Sequence, residues 1–143
     1  MANEARVFAE GTENVIVRQV TVADGTAIAK GSLLVFVGGS RTAIIHRTVD
    51  GNVGRPAGFA TMSKEANDGI TEIGVQRTGV VDAIHDGVVT SGDLAKLGST
   101  TINRLERVAP VGAMSYQIVA TIVGRWLENG TDGQQSRCSL CLG

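Results

Sequence analysis

Reactive side chains are few in this chain, and only one stretch sets them side by side: Asp82-Ala83-Ile84-His85-Asp86. A histidine among acids has the make-up of a general acid–base pair, with a nearby Ser or Thr as its nucleophile. On a strand, however, period-2 alternation gives Asp82, Ile84 and Asp86 one face and sends His85 to the other with Ala83. An Asp–His orientation pair therefore does not form locally. Thr78, Thr90 and Ser91 become nucleophiles only if folding brings His46 or His85 to them. Acids beside Gly87 read more simply as a solvated turn at a strand end. No catalytic residue is assigned, and the chain is not read as an enzyme.

The remaining candidates are weaker. Cys138 and Cys141 form a C-x-x-C, the spacing of zinc and redox sites, but a structural zinc needs two further ligands. The sequence holds two histidines, His46 and His85, each alone. If the tail is a strand, its alternation sends the two thiols to different environments, one packed and one exposed. Neither a metal nor a cofactor is expected. His46 lies inside TAIIHRTV, where a partly buried, hydrogen-bonded imidazole is the simpler reading. Gly38-Gly39-Ser40-Arg41 lacks the Gly-Lys-Ser/Thr ending and the following helix of a phosphate cradle, and reads as a hairpin turn. Trp126, the lone tryptophan, is expected in the core.

The elements that would position these groups are short. Nineteen glycines in 143 residues, with aromatic residues at 3%, break the chain into brief runs rich in Val, Ile, Ala and Thr. That texture predicts many strands joined by tight turns. Hydrophobic residues at 43% and charged residues at 19% argue against disorder. A net charge of -1 with scattered arginines, and few rings to stack bases, argues against direct nucleic-acid binding. No run approaches the ~18 apolar residues of a membrane helix, and MANEARVFAEG does not read as a secretory signal. A soluble protein made in the cytosol of its host is expected.

Along the chain, residues 1–12 read as an extended N-terminal arm and residues 13–143 as a single β-rich domain. Strands are expected over 14–22, 32–38, 42–49, 56–61, 103–108, 115–127 and 136–142. Residues 70–84 read as one long bent strand or two short ones. Asp50-Gly51 between apolar runs reads as a hairpin turn. Residues 62–68 are a loop or one helical turn, and Ser91–Leu97 is a capped short helix ending at Gly98. The class is mainly β: a small β-barrel or β-tulip-like domain with at most one or two short helices. One internal echo stands out. Asp24-Gly25 precedes AIAKGSLL, and Asp86-Gly87 precedes VVTSGDLA. Two copies of a common turn account for it more readily than a duplication, because nothing else aligns at that spacing.

Four stretches together carry a resemblance. NEARVFAEGTENVIVRQVT, DGTAIAKGSLLVF, GFATMSKEANDGITEIGVQRTGVVDAI with SGDLAKL, and IVGRWLENGTDGQQSRCSLCL resemble the capsid cement, or head decoration, proteins of tailed bacteriophages. Ile28, Gly31, Ser32 and Leu33 match that family's turn; Gly58 and Ala60 match its hairpin. Val123, Gly124, Leu127, Glu128, Gly130, Thr131 and Gly133 match its close. Trp126 and the two cysteines depart from the pattern. The resemblance implies a homotrimer on the outer capsid surface, bound to the major capsid protein and stabilising the lattice against internal DNA pressure. The expected capsid-binding arm comprises Asn3, Glu4, Arg6, Val7 and Phe8, with Val7 and Phe8 as its apolar anchors. A tail-tube or other virion component shares the same texture. A small β-rich ligand-binding domain or enzyme would need converging polar groups that the sequence does not cluster.

Overall fold

Short β-branched runs bounded by glycine form strands, as the composition dictates. The computed structural model describes residues 6–7, 15–37, 39–51, 54–108 and 119–142. The strands are β1 (Arg6–Val7), β2 (Val17–Val22), β3 (Leu33–Phe36), β4 (Thr42–Ile45), β5 (Arg55–Ala60) and β6 (Glu72–Gln76). They continue with β7 (Thr78–Asp86), β8 (Leu94–Leu97), β9 (Leu105–Arg107), β10 (Ile122–Trp126) and β11 (Gln135–Cys141). The mainly-β expectation holds.

These strands close into two barrels in tandem. The first runs β2-β4-β3-β5-β6 and closes on itself. The second runs β7-β11-β10-β8-β9, closed by a parallel pairing of β9 with β7, while β1 adds to the edge of β7. Each barrel has the same connectivity. Its first and third strands pair in parallel, β2 with β4 and β7 with β9, and every other pairing is antiparallel.

The likeness between the barrels extends to single residues. Gly31 and Gly92, the glycines of the sequence echo, both have left-handed φ, 87° and 96°. Gly31 N donates to Ala60 O at 2.8 Å, and Gly92 N to Trp126 O at 2.9 Å. Lys30 N donates to Ser63 Oγ at 2.8 Å, as Ser91 N does to Asn129 Oδ1 at 2.9 Å. The isolated bridges Ile28–Lys64 and Val89–Gly130 correspond. The second and fourth strands of each barrel pair through one register shift, beside Gly58 in β5 and Gly124 in β10. The echo is therefore the visible part of a repeat that covers both barrels, not a turn used twice. Its detection failed at fixed spacing because the loops between equivalent strands differ in length, so the offset drifts.

Other expectations change as well. Ser91–Leu97 is not helical: after the Gly92 turn, Leu94-Ala95-Lys96-Leu97 is β8, paired on both sides by β9 and β10. Tertiary pairing overrides the helix propensity of Leu, Ala and Lys. The strand expected over 115–127 begins only at Ile122, and residues 119–120 are helical. Residues 115–118 of that expectation lie outside the described residues. Asp50-Gly51 makes no hairpin, since β4 and β5 are not neighbours. It ends a 3-10 turn, Thr48–Gly51, in which the buried Asp50 carboxylate accepts from Arg47 N at 2.9 Å and Arg47 Nη2 at 2.8 Å.

The barrels share a core. Val20, Val22, Ile28, Leu34, Ala43, Ala57, Ala60, Ile73 and Val75 fill the first. Leu33, Val35 and Phe59 point the other way from their strands and join the cluster of the second barrel, beside Leu97, Leu105, Val123 and Trp126. Burying each contributes roughly 1.5–3 kcal/mol. At the matching places on the second barrel stand the half-buried Leu94, the buried Lys96 and the exposed Arg125, and among the described residues no further barrel lies over them. Hydrogen bonds pin the joint: Leu33 N donates to Asn103 Oδ1 at 2.6 Å, and Arg77 Nη1 to Ala57 O at 2.6 Å.

The two bulge glycines leave no room for a side chain. A Cβ on Gly58 would meet Gln76 O at 2.5 Å with φ at 137°, and one on Gly124 would collide with Ser139 O. Gly39 has nothing within 4 Å. Gly58→Ala and Gly124→Ala should each lower stability by about 2–3 kcal/mol in denaturant titration, with Gly39→Ala within about 0.5 kcal/mol of the parent. Equal effects at all three positions would contradict this packing.

Candidate functional site

The inside of the second barrel carries the chain's densest reactive cluster. Strand register makes its positions comparable with those of the first barrel. Trp126 pairs with Cys138 as Ala60 pairs with Val75, and Ser136 pairs with Ala83 as Ile73 pairs with Val20. By the same registers His85 takes the place of Val22, and Gly130 that of Lys64. Positions that are Ala60, Val22 and Ile73 in the first barrel thus hold an indole, an imidazole and a hydroxyl in the second. The added volume of Trp126 is offset by Ser136 in place of Ile73 and Ala95 in place of Leu34.

The imidazole and the hydroxyl satisfy one another, whereas Trp126 Nε1 is buried with no hydrogen-bond partner among the described residues. His85 Nδ1 lies 2.9 Å from Gly87 O, so the ring donates there, because a carbonyl can only accept. That fixes Nε2 as an acceptor, and Ser136 Oγ donates to it at 2.8 Å. The rings of His85 and Trp126 meet edge to face, centroids 4.9 Å apart at 67°. In the first barrel the corresponding end is held differently. Lys64 Nζ donates to Ala23 O, Asp24 O, Thr26 O and Glu65 O at 2.7–3.3 Å. A cation gathering loop carbonyls is replaced by an imidazole holding one.

A serine donating to a histidine resembles the start of nucleophilic catalysis. Here it is sealed. His85 and Ser136 are buried, and a Cβ at Gly130 would collide with Ser136 Oγ and come within 2.7 Å of His85 Nε2. The Gly130 backbone is therefore the wall between this pair and a shallow depression lined by Val88, Thr90, Asn129 and Gln134. The pair behaves as a hydrogen-bonded core element. Sequence reasoning put His85 and Ala83 on one face of the strand, the face that turns out to be buried, and missed Ser136. The only signal for it was the alternation Ser136–Cys138–Leu140 in the last strand, read against the repeat.

The other expected residues fall elsewhere. Thr78 Oγ1 accepts from Ile16 N, and Ser91 Oγ donates to Leu127 O, so neither approaches a histidine. Asp86 is no solvated turn: it pairs with Arg104 at 3.0 Å and accepts from Thr101 N. Asp82 faces Arg137 at 3.5 Å. His46 sits at the joint between the barrels, its Nε2 donating to Gly98 O at 2.7 Å, while Nδ1 has no partner among the described residues. Cys138 is buried and Cys141 exposed, and burial, with Cys141 nearby, pushes the Cys138 thiol up to about 12. Among the described residues no group of three His, Cys, Asp or Glu could hold a metal. Of the expected arm, Arg6 and Val7 form β1, opposite Asp82 and Val81. Asn3, Glu4 and Phe8 lie outside the described residues.

Two outcomes follow from this burial. A thiol reagent should label one cysteine per folded chain, Cys141, and both after denaturation; labelling of Cys138 at an equal rate would refute the closed core. The second concerns pH. Burial lowers His46 and His85 below the ordinary 6.5, and the carbonyls and acids around them only partly oppose it. As pH falls below that value the unfolded chain binds protons that the folded chain refuses, so stability is full above it and lost beneath it. The melting temperature should drop between about pH 7.5 and 5.5, and His85→Gln should shrink that drop. An unchanged drop in the variant would clear His85 of the effect.

Comparison with known proteins gives one informative result. No family model matches the chain, and no curated protein matches it. Among solved structures, the base of the head fiber gp8.5 of bacteriophage phi29 (its N base) aligns at a TM-score of 0.56 and 13% identity, over 91% of this chain and 97% of that one. At that identity the likeness is one of fold.

Proposed function

We propose that the chain is a structural protein of a bacteriophage virion, attached to the outside of the head. The observation that carries this reading is the head-fiber likeness, which spans both barrels and nearly the whole of each chain. The burial of the His85–Ser136 pair agrees with it, since that pair faces no solvent. In the finer form, the chain is a decoration protein made in the bacterial cytoplasm, trimeric on the capsid, with the major capsid protein as its partner. A protein that binds only the assembled lattice stabilises it by mass action against the pressure of packaged DNA. The name of the neighbouring structure favours a second reading, in which the two barrels form the base that seats a fiber on the head.

Co-sedimentation with expanded, tail-less heads, after light scattering on the purified chain, tests both. The expected outcome is a trimer that pellets with heads, and a loss of at least about tenfold in affinity when residues 1–10 are removed. That truncation also strips β1 from β7, so its melting curve must show an intact fold. Binding to isolated tails and not to heads would assign the chain to the tail; binding to neither would end the virion reading.

A further inference from the structure

The repeat exposes a difference between the barrels at one strand edge. In β7, His85 N bonds to Gln134 O of the adjoining segment, so alternate residues turn toward β11 and the others, Asp82 among them, turn to the opposite edge. There β9 pairs at His85 and Asp86, and β1 pairs at Val81 and Asp82. In β2, the bonds Val22 N to Thr71 O and Arg77 N to Ile16 O mark the residues facing β6. Val17, Gln19 and Thr21 therefore turn outward. β4 takes Thr21 and Val22, but among the described residues no strand pairs with the outer edge at Val17 and Gln19. Gln19, opposite Gly74, holds the place that Asp82, opposite Arg137, holds in the second barrel. One barrel has its added strand; among the described residues the other has none, and its edge is an open slot.

The slot opens onto a groove of about 440 Å³ whose lining includes Gln19, Phe36, Ser40, Arg41 and Arg55. Among the described residues that lining holds two arginines and no acid. Arg18, in the same strand, is also exposed, and its charge is felt at Arg77, whose guanidinium is lowered first by burial and then by Arg18. The free backbone groups define an extended ligand, and the arginines define its charge. We propose that the outer edge of β2 at Val17–Gln19 is a strand-accepting site that binds an extended acidic segment of a partner protein, as β1 binds the matching edge of β7.

The slot belongs to the barrel and does not depend on the virion reading, so its test needs no capsid. Fluorescence anisotropy would follow a labelled eight-residue peptide alternating Glu and Val, added to the full chain. Three controls accompany it: the Lys–Val counterpart, a Glu–Val peptide with N-methylated backbone, and the variants Gln19→Pro and Arg41→Glu. Gln19→Pro removes only an N–H that faces away from β6, a substitution that strand edges tolerate. Arg41→Glu stays informative if the proline variant does not fold. Saturable binding of Glu–Val, at least about tenfold weaker for the Lys–Val and N-methylated peptides and for both variants, is the expected result. Equal binding of the two charge types, or indifference to Gln19→Pro and N-methylation, would overturn it. So would self-association of the chain abolished by Gln19→Pro, which would assign the slot to a second copy.

Discussion

Both barrels depend on a short parallel pairing between strands not adjacent in sequence order. Thr21–Thr42 with Val22–Ala43 closes the first, and His85–Leu105 with Asp86–Glu106 closes the second. Without these few residues each sheet would have two open edges, with unpaired backbone donors and acceptors, and could curl no further. The curvature that lets the edges meet comes from the register shift beside Gly58 and Gly124, where the backbone of the fourth strand lies against its neighbours too closely for any Cβ. Closure then makes an inside, and the inside selects the residues: Val20, Leu34 and Ile73 in one barrel, Ala83, Ala95 and Ser136 in the other.

The two copies have diverged according to what covers them. Leu33, Val35 and Phe59 are apolar because the second barrel lies over them; the same positions in the second barrel hold the half-buried Leu94, the exposed Arg125 and Lys96, buried and tied to Glu106 at 2.7 Å. Inside, the exchange of Val22, Ile73 and Lys64 for His85, Ser136 and Gly130 makes sense only as a set. The imidazole needs the hydroxyl as its donor, and the hydroxyl needs the glycine to have space. A substitution at one of the three without the others would bury an unmatched polar group or force a clash.

Much of the fold was legible in the residues. Glycine spacing and β-branched runs gave most strands within a few positions, and alternation set His85 on the face opposite Asp82 and Asp86 and gave the two thiols different environments, one packed and one exposed. Gly38-Gly39-Ser40-Arg41 lies in the β3–β4 connection, as the turn reading required. Illegible were the features set by long-range pairing. Leu94–Leu97 has helical residues and is held as a strand only by neighbours on both sides. Ser136 carries no mark of its partnership with His85, which lies far back in the chain. The repeat was visible at Gly31 and Gly92, where a left-handed turn demands glycine in both copies, and hidden where the demand is only for a residue that fits inside a barrel. The Asp50-Gly51 signal misled because the Arg47 guanidinium offered that carboxylate a better partner than a hairpin would.

The apolar outer face of the first barrel also bears on how the chain acquires its structure. During synthesis the first barrel emerges with Leu33, Val35 and Phe59 uncovered, and it stays incomplete until the last strand has left the ribosome, since β11 belongs to the sheet that covers them. Neither half can be cut away at the Arg77 connection without exposing that face. The repeat therefore did not yield two beads on a string. It yielded one cooperative unit whose first half waits for its second, with a folding time set by contacts far apart in sequence.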